Sequence, residues 1–200
     1  MKGSLIILLF FLLGIGCGYM NLLPVGDGGE DISFYALCAL LFFVGYSIGN
    51  DADIVTKFKQ LNPGLALLPL MTFLGTLSGC LVAALILHHR SLADCMAVGS
   101  GFGYYSLSSI FITQYKGAEL GTIALVANVV RELITLLGAP LLVRWFGKLA
   151  PISAGGATTM DTTLPIITQT SGKELVPVSI YHGFVMDFSV PFVVTFFCQL

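Results

Sequence analysis

The chain has 200 residues, 56% of them hydrophobic and 10% charged, with a mean hydropathy of +0.92. Soluble domains carry about a quarter charged residues, so this composition excludes one and points to an integral membrane protein. Nine basic and eleven acidic side chains leave a net charge of −2, with no basic excess to bind nucleic acid and no solvating acidic character.

Charge-free runs cover residues 3–26, 32–50, 60–89 and 95–115. Each approaches or exceeds the roughly 20 residues that a crossing helix needs. Two later runs are interrupted: 120–143 by Arg131 and Glu132, and 175–200 by His182 and Asp187. The runs are continuous rather than alternating, which predicts helices and not barrel strands. The first run follows Lys2 and contains Leu13-Gly14-Ile15-Gly16-Cys17, a sequence with some likeness to a lipoprotein cleavage site. It is longer than a signal core and continues past Cys17, so a spanning helix is the better reading. Cys17, Cys38, Cys80, Cys95 and Cys198 have no paired spacing and read as small buried hydrophobes. His88-His89-Arg90 reads as an interfacial flank, because no cysteine or carboxylate lies at metal-site spacing. Neither a metal nor a cofactor is expected.

A repeat runs through the second half at an offset of 55 residues. Ile112-Thr113-Gln114, Gly117 and Glu119-Leu120 recur as Ile167-Thr168-Gln169, Gly172 and Glu174-Leu175. Upstream, Ser100-Gly101-Phe102-Gly103 aligns with Gly155-Gly156-Ala157-Thr158, and Ser106 and Ser108 align with Asp161 and Thr163. Downstream, Glu132 aligns with Asp187. Each unit is therefore a glycine-broken polar segment followed by an apolar helix with a carboxylate near its middle. Irregular backbone at membrane depth survives only where protein or a water-filled cavity covers it. Paired breaks at matching positions of two repeats point to a transporter site. Tight packing through small residues is the bland alternative, and it does not call for Asp161 among Thr158, Thr159, Thr162 and Thr163.

The expected fold is an all-α polytopic membrane protein. About five helices span, and two re-entrant hairpins, 91–115 and 145–171, belong to an inverted repeat. Residues 1–90 form three scaffold spans, and 91–200 form a transport core of units 91–143 and 145–200. This topology puts Lys2, Lys57, Lys59, Arg144, Lys148 and Lys173 inside, and Arg90 and Lys116 outside. Full crossings in place of hairpins would weaken that positive-inside bias. The N-terminus is then inside and the C-terminus outside.

A charge at mid-helix costs about 2.5–3.5 kcal/mol on insertion scales, so Glu132 is a functional candidate. Asn128 and Thr135 share its helix face. Asp161 follows Gly155-Gly156, where it can meet an ammonium group or cap its own helix. The candidate binding set is Glu132, Asp161, Asn128, Ser106, Ser108, Thr158, Thr159, Gly101, Gly103, Gly155 and Gly156. Glu132 and Asp161 are also the candidates for ion coupling. Arg131, His182 and Asp187 stay open: Arg131 as partner of an acid or a substrate carboxylate, Asp187 as partner of His182, a lysine or solvent. Glu119, Glu174 and Lys116 read as interfacial anchors at helix starts.

Gly101-Phe102-Gly103-Tyr104-Tyr105-Ser106-Leu107-Ser108, Arg131-Glu132-Leu133, the run from Gly155 to Pro165, and His182-Gly183-Phe184 resemble the lysine exporter LysO family. The resemblance covers nearly the whole chain and is densest over 96–191. It implies export of L-lysine, and tolerance of toxic lysine analogues, at the bacterial inner membrane, driven by an ion gradient. Glu132 and Asp161 fall inside the matching motifs. Asp187 departs from the pattern, which leads one to expect a small polar or apolar residue there. Full-length members carry a further N-terminal helix block with its own intramembrane acid. That implies either a split transporter with a small membrane subunit, the favoured reading, or a homo-oligomer.

Lysine bears a carboxylate and two ammonium groups. Backbone amides at the glycine tips suit the carboxylate, and Glu132 and Asp161 suit the ammonium groups. An inside-negative potential opposes cation export by about 2.3 kcal/mol per 100 mV, so efflux needs coupling. A proton on Glu132, or a sodium ion at the helix breaks, would serve. Three alternatives remain: a non-transporting subunit, an exporter of another cationic amino acid, and an intramembrane aspartyl protease using Asp161 and Asp187.

Overall fold

The computed structural model describes residues 62–87 and 89–200, with isolated positions 9, 10, 12–14, 16, 17, 19, 20, 35, 39, 42, 43, 46, 50 and 56. The predicted spans over 3–26 and 32–50 therefore lie mostly outside the described residues, as do Lys57, Lys59 and His88. The described residues form helices and turns and no strand.

Asn62 starts the first described element by accepting a hydrogen bond from the Gly64 amide at 2.8 Å. A 3-10 turn, Pro63–Leu67, runs into helix α1, Leu68–Ile86. Helix α2, Leu92–Gly99, begins at a capping box. The Ser91 hydroxyl accepts from the Asp94 amide at 3.0 Å, and the Asp94 carboxylate accepts from the Ser91 amide at 3.4 Å. Two amides left over at a helix start are thereby satisfied. After a turn over 100–103 comes α3, Tyr105–Lys116. With eight and twelve residues, α2 and α3 reach about 12 and 18 Å, short of a hydrocarbon core of about 30 Å. Helix α4, Ala118–Phe146, has 29 residues and is long enough to cross.

The same order then recurs. It runs through α5 (Ala150–Gly155), a 3-10 segment (Gly156–Met160), α6 (Leu164–Ser171), a 3-10 turn (Lys173–Leu175) and α7 (Val176–Cys198). Gly117 and Gly172, 55 positions apart, both take the left-handed φ that favours glycine, +94° and +107°. Among the described residues, three stretches are long and apolar enough to cross a membrane: Pro63–Ile86, Ala118–Phe146 and Lys173–Cys198. Their outward faces are apolar, including Leu74 on α1, Ile134 on α4 and Phe184, Phe188, Phe192 and Phe196 on α7. The protein is thus a helical integral membrane protein.

Ion pairs fix the ends of the short helices. Arg90, just before α2, pairs with Glu119 at the start of α4, and Lys116 at the end of α3 lies 3.7 Å from Asp94. Lys148, just before α5, pairs with Glu174 ahead of α7 at 2.9 Å. Glu119 and Glu174 are equivalent in the repeat, and their two ion pairs lie at opposite ends of α4.

Two apolar clusters frame the interior. One joins Ala97, Phe102, Ile112, Ala124, Met186 and Val190, and the other joins Ala139, Ile152, Ile167 and Val178. Buried polar residues include Asn128, Thr135, Thr159, Thr163, Ser179 and His182. Several of them sit beside the helix breaks, where backbone groups without helical partners must find hydrogen bonds.

Candidate functional site

The two breaks touch each other. The Ala157 amide donates to the Phe102 carbonyl at 2.9 Å, tying the tip of one broken segment to the tip of the other. Gly156 has φ +64°, and a methyl group there would collide with that same carbonyl oxygen. Gly103 has φ +92°, and a methyl there would come within 2.9 Å of the Gly155 carbonyl. The glycines are required because two backbones cross at contact distance in conformations that side chains disfavour.

Polar side chains hold the crossing in place. Asn128, on α4, accepts from the Gly103 amide at 2.8 Å and donates to the carbonyls of Val98 at 3.1 Å and Ala124 at 2.9 Å. Gly101 leaves room for Asn128 and for the Ser108 hydroxyl, which donates to the Tyr104 carbonyl at 2.8 Å. Arg131 serves the second segment. Its Nε donates to the Ala154 carbonyl at 2.8 Å and a terminal nitrogen donates to the Ser153 carbonyl at 3.1 Å. A guanidinium at the C-terminal carbonyls of α5 also matches the sign of the helix dipole. The other terminal nitrogen reaches Thr76 on α1 at 3.3 Å, and the guanidinium carbon lies 5.8 Å from the centre of the Phe102 ring.

Behind the second break, the Thr159 hydroxyl donates to the Gly156 carbonyl at 2.8 Å or to the Ser179 carbonyl at 2.9 Å. His182 is fully buried. Its Nε2 lies 2.9 Å from the Thr72 hydroxyl on α1 and its Nδ1 lies 3.4 Å from the Thr159 hydroxyl. The next residue, Gly183, lets α7 press onto the Met160 backbone.

In front of the crossing lies a cavity of about 290 Å³ between the start of α3, α4, the second broken segment and α7. Ser106, Glu132, Thr158, Asp161, Thr162 and Asp187 supply most of its polar lining, with Gly103 and Tyr105 beside them. Among the described residues no basic side chain lines it. Asp161 accepts from the Thr162 amide at 2.5 Å and from the Thr162 hydroxyl at 3.3 Å. Glu132 and Thr162 line the same cavity. Asp161 is the electrostatic neighbour of both Glu132 and Asp187. Three carboxylates around a half-open cavity with hydroxyl donors suit a cationic, hydrogen-bonding ligand. Among the described residues no His, Cys, Asp or Glu side chains group to hold a metal.

The candidate residues therefore divide. Glu132, Asp161, Asp187, Ser106, Thr158 and Gly103 line the cavity. Asn128, Ser108, Thr159, Gly101, Gly155 and Gly156 build the crossing behind it. Arg131 is hydrogen-bonded to α5 carbonyls and to Thr76, and His182 to Thr72 and Thr159. The amide of Gly103, one of the glycine-tip amides expected to meet a carboxylate, is occupied within the crossing, as is that of Ala157. Tyr105 and Thr162 of the cavity, and Thr72 and Thr76 of α1, were not singled out from the sequence. The α1 pair did leave a signal: two hydroxyls one helical turn apart in an apolar run.

The family model described as Lysine exporter LysO matches residues 8–198. The lysine exporter LysO of Escherichia coli K12 is 36% identical over 167 residues, which cover 84% of this chain and 55% of that protein. The putative lysine exporter of Haemophilus influenzae Rd is 34% identical over 165 residues, covering 82% of this chain and 83% of that protein. The chain thus spans about half the length of the first of these relatives. No solved structure matches it.

Proposed function

The chain belongs to the lysine exporter LysO family, and from that premise we propose that it is a secondary transporter exporting L-lysine across the bacterial inner membrane. The observation that carries this reading is the cavity lined by Glu132, Asp161 and Asp187 where the two broken segments cross. Glu132 and Asp161 receive the α-ammonium of the substrate. The hydroxyls of Ser106 and Tyr105 are the donors for its carboxylate. Asn128, Arg131, Ser108, Thr159 and the glycines hold the tips that shape the cavity.

We read α2–α3 and α5–α6 as re-entrant hairpins of two inverted units. Their short arms support this, as do the ion pairs that set Arg90 beside Glu119 and Lys148 beside Glu174. The N-terminus is inside and the C-terminus outside, an orientation supported by the distribution of basic residues. Inward movement of one proton or sodium ion per lysine exported makes the exchange electrically neutral and lets the membrane gradient drive it. Glu132, a carboxylate on a crossing helix that lines the cavity, is the carrier in the proton form of the cycle. The acid pair of the protease alternative lies in the same cavity, but the names of the relatives favour transport.

Labelled lysine loaded into cells lacking their own exporter tests the reading. The intact chain should release it faster than an empty vector, and Glu132→Gln should abolish release while the protein still inserts. Normal efflux from Glu132→Gln would remove that residue from the mechanism, and would favour a non-transporting subunit if the intact chain also matched the empty vector. Imposed pH and sodium gradients identify the coupling ion. Co-expression with an added membrane subunit, or a forced second copy, shows whether export needs one.

A further inference from the structure

The cavity lies on the internal symmetry of the repeat. Gly103 and Thr158, Tyr105 and Met160, Ser106 and Asp161, and Glu132 and Asp187 are four pairs of positions 55 residues apart, and both members of every pair line it. Glu132 looks in from α4 and Asp187 from α7, so the substrate space is walled by equivalent positions of two helices.

Within that frame the three acids are not alike. Asp161 accepts from the Thr162 amide and hydroxyl, and Glu132 and Tyr105 line the cavity with them. That set, with its hydroxyl donors, forms a compact polar group of the kind an amino-acid headgroup needs. Asp187 stands apart, on a different helix from either acid, and faces the same cavity. Among the described residues it has no hydrogen-bond or ion-pair partner. An unpaired carboxylate on a crossing helix is costly, and a cation arriving in the cavity would remove that cost.

We propose that Asp187 is a specificity-determining residue which receives the side-chain ammonium of the transported amino acid, while Glu132 and Asp161 hold the headgroup. The assignment rests on the transport reading above. It makes the site selective for amino acids carrying a second ammonium at the end of a flexible chain.

The test pairs two ligands with two variants of the full chain purified in detergent, with binding measured by calorimetry. The ligands are L-lysine and the lysine analogue whose side-chain ammonium is replaced by a hydroxyl. Asp187→Asn should weaken lysine binding by at least about tenfold, the worth of a charged hydrogen bond, and leave the hydroxyl analogue unchanged. Asp187→Glu keeps the charge and should keep the preference for lysine. If Asp187→Asn weakens both ligands equally, or neither, the assignment is overturned. An unsubstituted chain that binds the analogue as well as lysine overturns it too, with the transport reading left standing. An unsubstituted chain that binds neither ligand sinks the transport reading, and this assignment falls with it.

Discussion

The Ala157 amide and the Phe102 carbonyl, 2.9 Å apart, join the two broken segments at their tips. The site on one side of that bond and the supports on the other are positioned by this contact, so changes at the crossing should disturb the cavity without touching a cavity residue. Gly156→Ala is the sharpest such change. The added methyl meets the Phe102 carbonyl, and φ +64° is strained for any side chain. The expected loss is on the order of 1–3 kcal/mol, seen as a lower melting temperature in detergent together with lost efflux. Gly79→Ala, where a methyl meets nothing within 4 Å, is the control and should leave both unchanged. Equal melting of the two variants would show that the crossing does not constrain the fold.

Arg131→Lys should fail as a conservative substitution. The guanidinium serves the carbonyls of Ala154 and Ser153 and the hydroxyl of Thr76 at once, and an ammonium cannot span that fork. At least one acceptor is left without its donor, at about 1.5–3 kcal/mol for a charged hydrogen bond. Thermal unfolding of the purified variant reads this directly. Unchanged stability with lost lysine binding would instead assign Arg131 to the substrate.

Arg131 also marks where the sequence stops being informative. Continuous apolar runs, the 55-residue repeat and the glycine breaks were all legible, because each is a pattern of residue types along the chain. Glu132 and Asp161 stood out because a charge in an apolar run is costly. What could not be read is which polar residues face the cavity and which face backbone. Asn128 and Glu132 are one turn apart on α4, yet the first broken segment covers Asn128 while Glu132 opens onto the cavity. That division depends on where a hairpin edge crosses the helix surface, and no local periodicity encodes it. His182 is similar: five residues before Asp187, it points to Thr72 on α1 while Asp187 faces the cavity.

Asn128→Asp follows from the same division. The side chain keeps its shape, but two donors to the carbonyls of Val98 and Ala124 become a charged acceptor facing those oxygens. Destabilisation of about 1–3 kcal/mol is expected from unsatisfied buried groups alone. Because Asn128 holds the Gly103 amide at the cavity wall, the fraction that folds should also bind lysine less tightly, in step with its lost stability. Calorimetry on the folded fraction checks this, and a selective loss of affinity with normal stability would return Asn128 to the binding set.

The proposed inverted hairpins make a prediction about sidedness. Arg90 and Lys148 occupy matching places, each just before the first short helix of its unit, and each pairs with the repeat's equivalent glutamate. If the units are inverted, the two residues lie on opposite faces of the membrane. Their ion pairs are partly exposed and worth about 1 kcal/mol or less, so both positions tolerate substitution. In a background with the native cysteines replaced, Arg90→Cys should react with a membrane-impermeant maleimide applied from outside. Lys148→Cys should react only once the cytoplasmic face is opened. Labelling of both from one face would mean that at least one broken segment crosses the bilayer completely, and the symmetric cavity would then need a different account.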